Sequence, residues 1–222
     1  DTSRAPEHWS AFTLPPIIHE QLGDKWLNVI ASLPDTLSLR FRDAPPIRVV
    51  HGIPDNPWQA LYPQTPQETA CEWLSAVQET TVIGAHSHVP MERHVDRWQI
   101  FNAGSVGVPL DGDLTASYMI IDGQQDGWEL VAHRRIPFDY TSLYAEFERQ
   151  HFKKHGGATA RLIIEEFRTA RLQVHAFQQW LKLTYPNQIE SDARVEEFLG
   201  LDDIRPYTIA PYDTLDTTLY RD

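Results

Sequence analysis

The chain has 222 residues, 41% hydrophobic and 23% charged, values of a folded domain with room for a small appendage. Nineteen Lys and Arg stand against 31 Asp and Glu, a net charge of −12, which argues against nucleic acid as a main partner because phosphate backbones need cationic patches. No apolar run approaches the roughly 20 residues needed to cross a bilayer, the N-terminal Asp1 to Arg4 holds no signal-peptide core, and the single Cys71 fits a reducing compartment, so no membrane partner and a cytoplasmic location are expected.

Residues 1–16 are polar and punctuated by proline and read as irregular. A helix is predicted over 24–33, with Asp24 as N-cap and Trp26, Leu27, Ile30 and Leu33 on one face. Pro34-Asp35 ends it. Residues 36–41 alternate as a strand, Leu37 and Leu39 to one side and Ser38 and Arg40 to the other. Ile47 to Val50 reads as a more buried strand that runs directly into His51-Gly52. Thr65-Pro66-Gln67-Glu68 then has the pattern of a capping box with proline at the first helical position, followed by an apolar stripe of Cys71, Trp73, Leu74 and Val77. The β-branched run 80–83 is a strand ending at Gly84, and 98–101 is another ending at Asn102. Residues 114–122 and 128–136 read as a hairpin around Asp122-Gly123. After Pro137 the pattern turns helical: 141–154, then 158–183, with Gly156-Gly157 between them, and a shorter helix over 192–199. The tail from 202 has no clear periodicity. The expected division is a strand-rich part, 1–137, and a helical appendage with tail, 138–222. In the latter, Ile163, Phe167, Leu172, Phe177 and Trp180 suggest a stripe packed on a core or a partner.

The histidines carry the chemical signal. A lone histidine after an apolar strand is most often structural or solvated. His51, however, stands where a strand stops and Gly52 frees the backbone to turn, and such strand ends are where open α/β sheets place ligands. His86 and His88 repeat the arrangement after Gly84, two residues apart. An extended backbone would turn both to the same side, where neutral imidazoles suit a borderline metal such as Zn²⁺, Mn²⁺ or Fe²⁺; two exposed loop histidines is the plainer alternative. Asn102-Ala103-Gly104-Ser105-Val106-Gly107 follows a third strand. Its Gly-Ser-x-Gly turn offers backbone N–H groups to an anion, or is simply a tight turn. Asp55, Asp96, Asp111 and Asp113 sit in turn-forming contexts, with Asp55 also able to line a site entrance. His94 and His133 read as structural or solvent-facing, and His8 and His19 carry no motif.

Taken in order, His51-Gly52 after a strand, Gly84-Ala85-His86-Ser87-His88-Val89-Pro90, Asn102 to Gly107, Asp111-Gly112 and Tyr118 to Asp122 resemble the calcineurin-like metallophosphoesterases, most closely their small bacterial and archaeal branch. The collinear match runs from about Trp26 to Ile136 and departs at Ala85, which separates Gly84 from His86 where Gly-His-x-His is commoner. The resemblance implies a mixed α/β fold, a calcineurin-like αββα two-sheet sandwich, with the helical appendage at its C-terminal side. It implies two divalent metals (Mn, Fe, Zn or Ni) about 3.5 Å apart, His51 and His86 on one and His88 on the other. Asn102, Gly104 and Ser105 would support the site from behind or from the phosphate side. The implied reaction is in-line hydrolysis of a phosphomonoester or phosphodiester by a metal-activated water, on a small phosphorylated substrate or a phosphoprotein, with a homo-oligomer left open.

The family's other ligand motifs, Asp-x-His, Gly-Asp-x-x-Asp and Gly-Asn-His-Asp or -Glu, precede the His-Gly motif, and none occurs here before His51. The sequence is therefore expected to open after the family's first βαβ units, with Asp1 the last residue of a Gly-Asn-His-Asp. Without a bridging carboxylate two adjacent dications repel each other, so at most one metal, weakly held, is expected in this chain. Apolar surface of the sandwich is expected to lie exposed. Two functions follow: a metal-dependent phosphoesterase, or a catalytically inactive remnant of that fold acting as a binding or regulatory module.

Overall fold

The computed structural model describes residues 14–208; the irregular stretch expected at 1–13, with His8, and the end of the tail lie outside them. In chain order the elements are α1 (Leu14–Ala31), β1 (Thr36–Leu39), β2 (Ile47–Val50), α2 (Gln67–Leu74), β3 (Thr81–Gly84), β4 (Pro90–Val95), β5 (Trp98–Ala103), β6 (Ala116–Gln124), β7 (Gly127–Ile136), α3 (Thr141–Arg149), α4 (Phe152–Thr169), α5 (Val174–Thr184) and α6 (Asp192–Leu199). The fold is mixed α/β, with two sheets and six α-helices among the described residues. No helix among these residues is long and apolar enough to cross a membrane. They form two compact units, residues 34–137 and residues 14–33 with 138–208.

The first unit holds the candidate site. Its five-stranded sheet has the order β1-β2-β3-β5-β4. The centre, β2, β3 and β5, is parallel, and the two edges are antiparallel. Val82 and Ile100 of β3 and β5 pack with Val50, Leu74 of α2 and Met91 of β4 in one buried cluster. Parallel strands covered in this way read as near-continuous apolar runs, which is why 47–50, 80–83 and 98–101 were visible as strands. β4 was not, because Glu92, Arg93 and His94 interrupt its apolar residues. A second, two-stranded sheet pairs β6 with β7, with a register irregularity at Ile120/Ile121.

Two local expectations change. The α2 start lacks the capping box: Pro66 is the N-cap without a side-chain bond, and Thr65 Oγ1 instead accepts the Tyr62 N–H at 2.9 Å. The hairpin turns at Gln125-Asp126, not at Asp122-Gly123, which lies inside β6 opposite Trp128. A Cβ on Gly123 would sit 2.6 Å from the Trp128 indole, so this glycine makes room for an aromatic ring and no turn. Apolar side chains are exposed, as expected, on β1 (Leu37, Leu39) and on one face of the hairpin (Tyr118, Ile120, Val131, Ile136).

In the helical unit a non-helical Gly23 (φ 65°, ψ 169°) divides α1 into two helices, the second of which follows it at Asp24 as predicted, while a helix from Leu14 that the sequence did not show precedes it. Trp26, Ile30 and Leu33 of the anticipated stripe are all more than half exposed. As predicted, two helices meet at Gly156-Gly157: α4 comprises two helices joined across a kink at Gly157, which takes non-helical φ 54° and ψ −142°. The predicted 158–183 helix, however, breaks at Ala170 (φ 51°). Phe177 and Trp180 of the predicted stripe are buried in a core with Leu162, Val195 and Phe198.

Candidate metal centre

The three parallel strands deliver their C-terminal ends to one place. β2 and β3 are in register through Val49 and Ile83, and β3 and β5 through Gly84 and Asn102. Beyond the ladder, the Ala85 N–H donates to the His51 carbonyl at 3.0 Å, so the β2–β3 pairing continues into the motifs. Sheet register therefore brings His51, the segment that carries His86, and Asn102 to one end of the sheet.

The loop after His51 is folded on itself. Ile53 and Asn56 exchange backbone hydrogen bonds at 3.2 and 3.1 Å, and the Trp58 N–H donates to Asn56 Oδ1 at 3.0 Å. Gly52 lies against this turn so closely that a Cβ would meet the carbonyl oxygens of Gln59, Asn56 and Pro57 at 2.4, 2.8 and 2.9 Å. Glycine is required there by backbone contact, not by an unusual φ.

His86 Nδ1 lies 3.1 Å from His51 Nε2, the two rings meeting edge to face. The extended backbone expected between His86 and His88 is not found: they take φ 60° and 55°, left-handed values. Between them Ser87 is buried, and its N–H donates to the Ala85 carbonyl at 2.6 Å. That i to i+2 bond closes a γ-turn centred on His86, of the rarer positive-φ kind. His88 is held separately, its Nδ1 donating to the Val108 carbonyl at 2.6 Å. That bond fixes Nδ1 as the donor, the second-sphere arrangement common to histidines that bind a metal through Nε2.

All three rings interact electrostatically. Loss of hydration, then the neighbouring His88, holds His51 below its usual pKa. His86 is held low by burial first, then by His51 and His88, against a hydrogen bond to the Trp58 backbone that raises it. Both are thus neutral donors at pH 7. Two ligand nitrogens at about 2.0–2.1 Å from one tetrahedral ion lie roughly 3.3–3.4 Å apart, and the 3.1 Å separation of His86 and His51 is close to that. The pair fits a share in one ion. Among the described residues no group of three or more His, Cys, Asp or Glu is arranged to hold a metal. A carboxylate beside this pair would have made such a group, so the bridging group that two ions need is not supplied by these residues.

Asn102 is buried. Its Nδ2 donates to the Ala85 carbonyl and to Ser87 Oγ, both at 3.0 Å, and its Oδ1 accepts the Gly104 N–H at 2.9 Å. Gly104 takes φ 77°. Ser105 Oγ accepts the Val108 N–H at 3.0 Å, shaping the loop whose carbonyl holds His88. Ser117 ties that loop to the hairpin, through the Ala103 carbonyl and His133 Nε2.

Of the aspartates, Asp55 and Asp96 occupy left-handed turn positions, and Asp113 caps the Thr115 N–H at 2.9 Å. Asp111 differs: it is buried and ion-paired with Arg135 of β7. His94 is exposed, and His133 is buried against Ser117. The carbonyls of Trp58 and Val108, which orient two of the histidines, went unread in the sequence. A backbone oxygen has no residue-type signature, and only the loop path brings it to a ring.

No protein-family model matches the chain, and no curated protein matches it. Among solved structures it is similar to a hypothetical protein of Pyrococcus horikoshii, with 19% identity and a TM-score of 0.55 over 73% of this chain and 62% of that one. It is similar to a metallophosphoesterase from Sphaerobacter thermophilus at 24% identity and a TM-score of 0.48, over 60% of this chain and 58% of that one. A Vps29 variant from Entamoeba histolytica follows at 18% identity and a TM-score of 0.36, over 49% and 63%. The chain thus spans about three fifths of the length of each. The first of these likenesses is one of fold alone.

Proposed function

We propose that the chain carries part of the active centre of a metal-dependent phosphoesterase. The observation that carries this reading is the pairing of His86 Nδ1 with His51 Nε2 at 3.1 Å, at the C-terminal ends of parallel strands. The order of motifs around them, which resembles the calcineurin-like metallophosphoesterases, supports it. His51 and His86 hold one divalent ion as neutral nitrogen donors. His88, with Nδ1 bound to Val108 and Nε2 free to donate, serves the neighbouring position. Bound there, a divalent ion supplies Lewis-acid polarisation of a phosphoryl oxygen and a water acidified towards neutrality. The tight 51–59 loop and the 103–108 loop keep the imidazoles in place, so little reorganisation is needed when substrate arrives. This chain holds at most one ion, and its substrate is a small phosphate ester or a phosphoprotein.

The test is metal content and Co²⁺ titration of the protein, with turnover of aryl phosphomonoesters and phosphodiesters in Mn²⁺. His51→Ala and His86→Ala are expected to lower turnover at least about 100-fold; variants with unchanged metal-dependent rates would refute the reading. The absence of a three-residue ligand group among the described residues favours one alternative, a non-catalytic binding module. A folded protein that takes up no metal and shows no turnover would establish that alternative.

A further inference from the structure

We infer that Asn102 is the positioning residue that holds His86 in its metal-facing turn, an inference that rests on the proposed ligand role of His86. Three observations converge. First, His86 stands at φ 60° in a γ-turn, a conformation strained for a non-glycine residue that persists only where its surroundings impose it. Secondly, Asn102 grips both flanks of that residue, the Ala85 carbonyl before it and the Ser87 hydroxyl after it, each at 3.0 Å. The Ala85 backbone on one side and the Ser87 side chain on the other are held, and the His86 imidazole between them meets His51. Thirdly, the clamp is itself anchored. Asn102 is paired with Gly84 across β3 and β5, and its Oδ1 takes the Gly104 N–H at 2.9 Å. A Cβ on Gly104 would meet Ser117 Oγ at 2.8 Å and Pro90 Cγ at 2.9 Å, so the residue whose N–H Asn102 takes has to be glycine.

The residue type follows from the geometry. Two donors on one nitrogen and one acceptor on a side chain of this length describe asparagine. Aspartate keeps the acceptor for Gly104 but turns an oxygen towards the Ala85 carbonyl. Glutamine places the amide one methylene too far. Because Asn102 is buried at 1% exposure, water cannot stand in for it.

The experiment uses the 222-residue chain with Asn102→Asp, Ser87→Ala and, as a control, Ser117→Ala, which removes a buried hydrogen bond from the same loop without touching the His86 turn. Two quantities are read: Co²⁺ affinity from its visible absorption, and hydrogen exchange of the residue 87 amide in metal-free protein. Asn102→Asp is expected to weaken Co²⁺ binding roughly 10–100-fold and to speed exchange at residue 87, with the β3 and β5 amides still protected. Ser87→Ala, which leaves the Asn102–Ala85 bond, is expected to fall between it and wild type, and decides the matter if Asn102→Asp does not fold. Ser117→Ala is expected to lower stability but move neither readout. Unchanged affinity and exchange in Asn102→Asp, or in Ser87→Ala where only that variant folds, overturn the inference, as do equal effects from Ser117→Ala. If wild type takes up no Co²⁺, the metal reading fails. The positioning role is then judged on residue 87 exchange alone, faster in Asn102→Asp than in Ser117→Ala if it stands and equal if it does not.

Discussion

Glu166 of α4 caps a helix to which it does not belong: its Oε1 accepts the N–H of Val174, the first residue of α5, at 2.9 Å, and that of Gln173 at 2.8 Å. No Ser, Thr, Asp or Asn precedes α5 to cap it locally, so a carboxylate from eight residues upstream satisfies the helix start. It also fixes the corner at Ala170, where the predicted single helix breaks.

Burial pushes the Glu166 carboxyl up to about 7, against the pull of those two N–H groups. The unfolded carboxyl ionises near 4.5, so between 4.5 and about 7 the native state binds more protons than the unfolded one. Stability contributed by this group is therefore present at low pH, falls as pH rises through that window, and is level above it. Glu166→Gln keeps an oxygen for both N–H groups and removes the ionisation. It is expected to be more stable than wild type above pH 7, by on the order of 3 kcal/mol, and equal to it near pH 4. Urea denaturation at both pH values checks this, and a pH-independent difference would refute it.

The buried Asp111–Arg135 pair joins the loop after the candidate site to β7. Breaking it from one side leaves an unpaired charge in the interior. Asp111→Ala is expected to cost about 3–5 kcal/mol, whereas the double variant Asp111→Leu with Arg135→Met recovers most of that loss. Chemical denaturation of the single and double variants measures the difference. Equal losses in both would show that the charge pairing is not what matters there.

Gly52 and Gly107 both flank the candidate centre but differ in surroundings. A Cβ on Gly52 meets three backbone carbonyls within 3 Å, while one on Gly107 meets nothing within 4 Å. Gly52→Ala is expected to destabilise by about 1–3 kcal/mol or more and to weaken Co²⁺ binding through the displaced 51–59 loop. Gly107→Ala is expected to stay within about 0.5 kcal/mol of wild type. Thermal melts with and without Co²⁺ distinguish them; similar behaviour of the two variants would contradict the packing account.

Much of the sheet was readable because its central strands are largely covered and mostly apolar, Arg48 and Gln99 apart, as at Ile47 to Val50 and Trp98 to Phe101. β4 was not, since Glu92 and His94 face outward on an edge strand. Turn and cap signals misled at two places: Gly123 makes room for Trp128, and Thr65 bonds Tyr62. In each case the residue serves a contact that its own sequence pattern does not show.

The candidate centre divides in the same way. From the sequence came the strand ends at His51 and Gly84 and the three histidines as candidate ligands, because residue type and strand periodicity are local properties; the mixed α/β class and the supporting place of Asn102 were what the order of the motifs implied by resemblance. The tertiary structure alone decided that His86 and His88 sit in left-handed turns, that Val108 and Trp58 carbonyls orient two of the rings, that Asn102 bonds on both sides of His86, and that no carboxylate among the described residues joins the pair. Those are relations between atoms far apart in the chain, set by strand register and loop path, and such relations leave no periodicity in the sequence to be read.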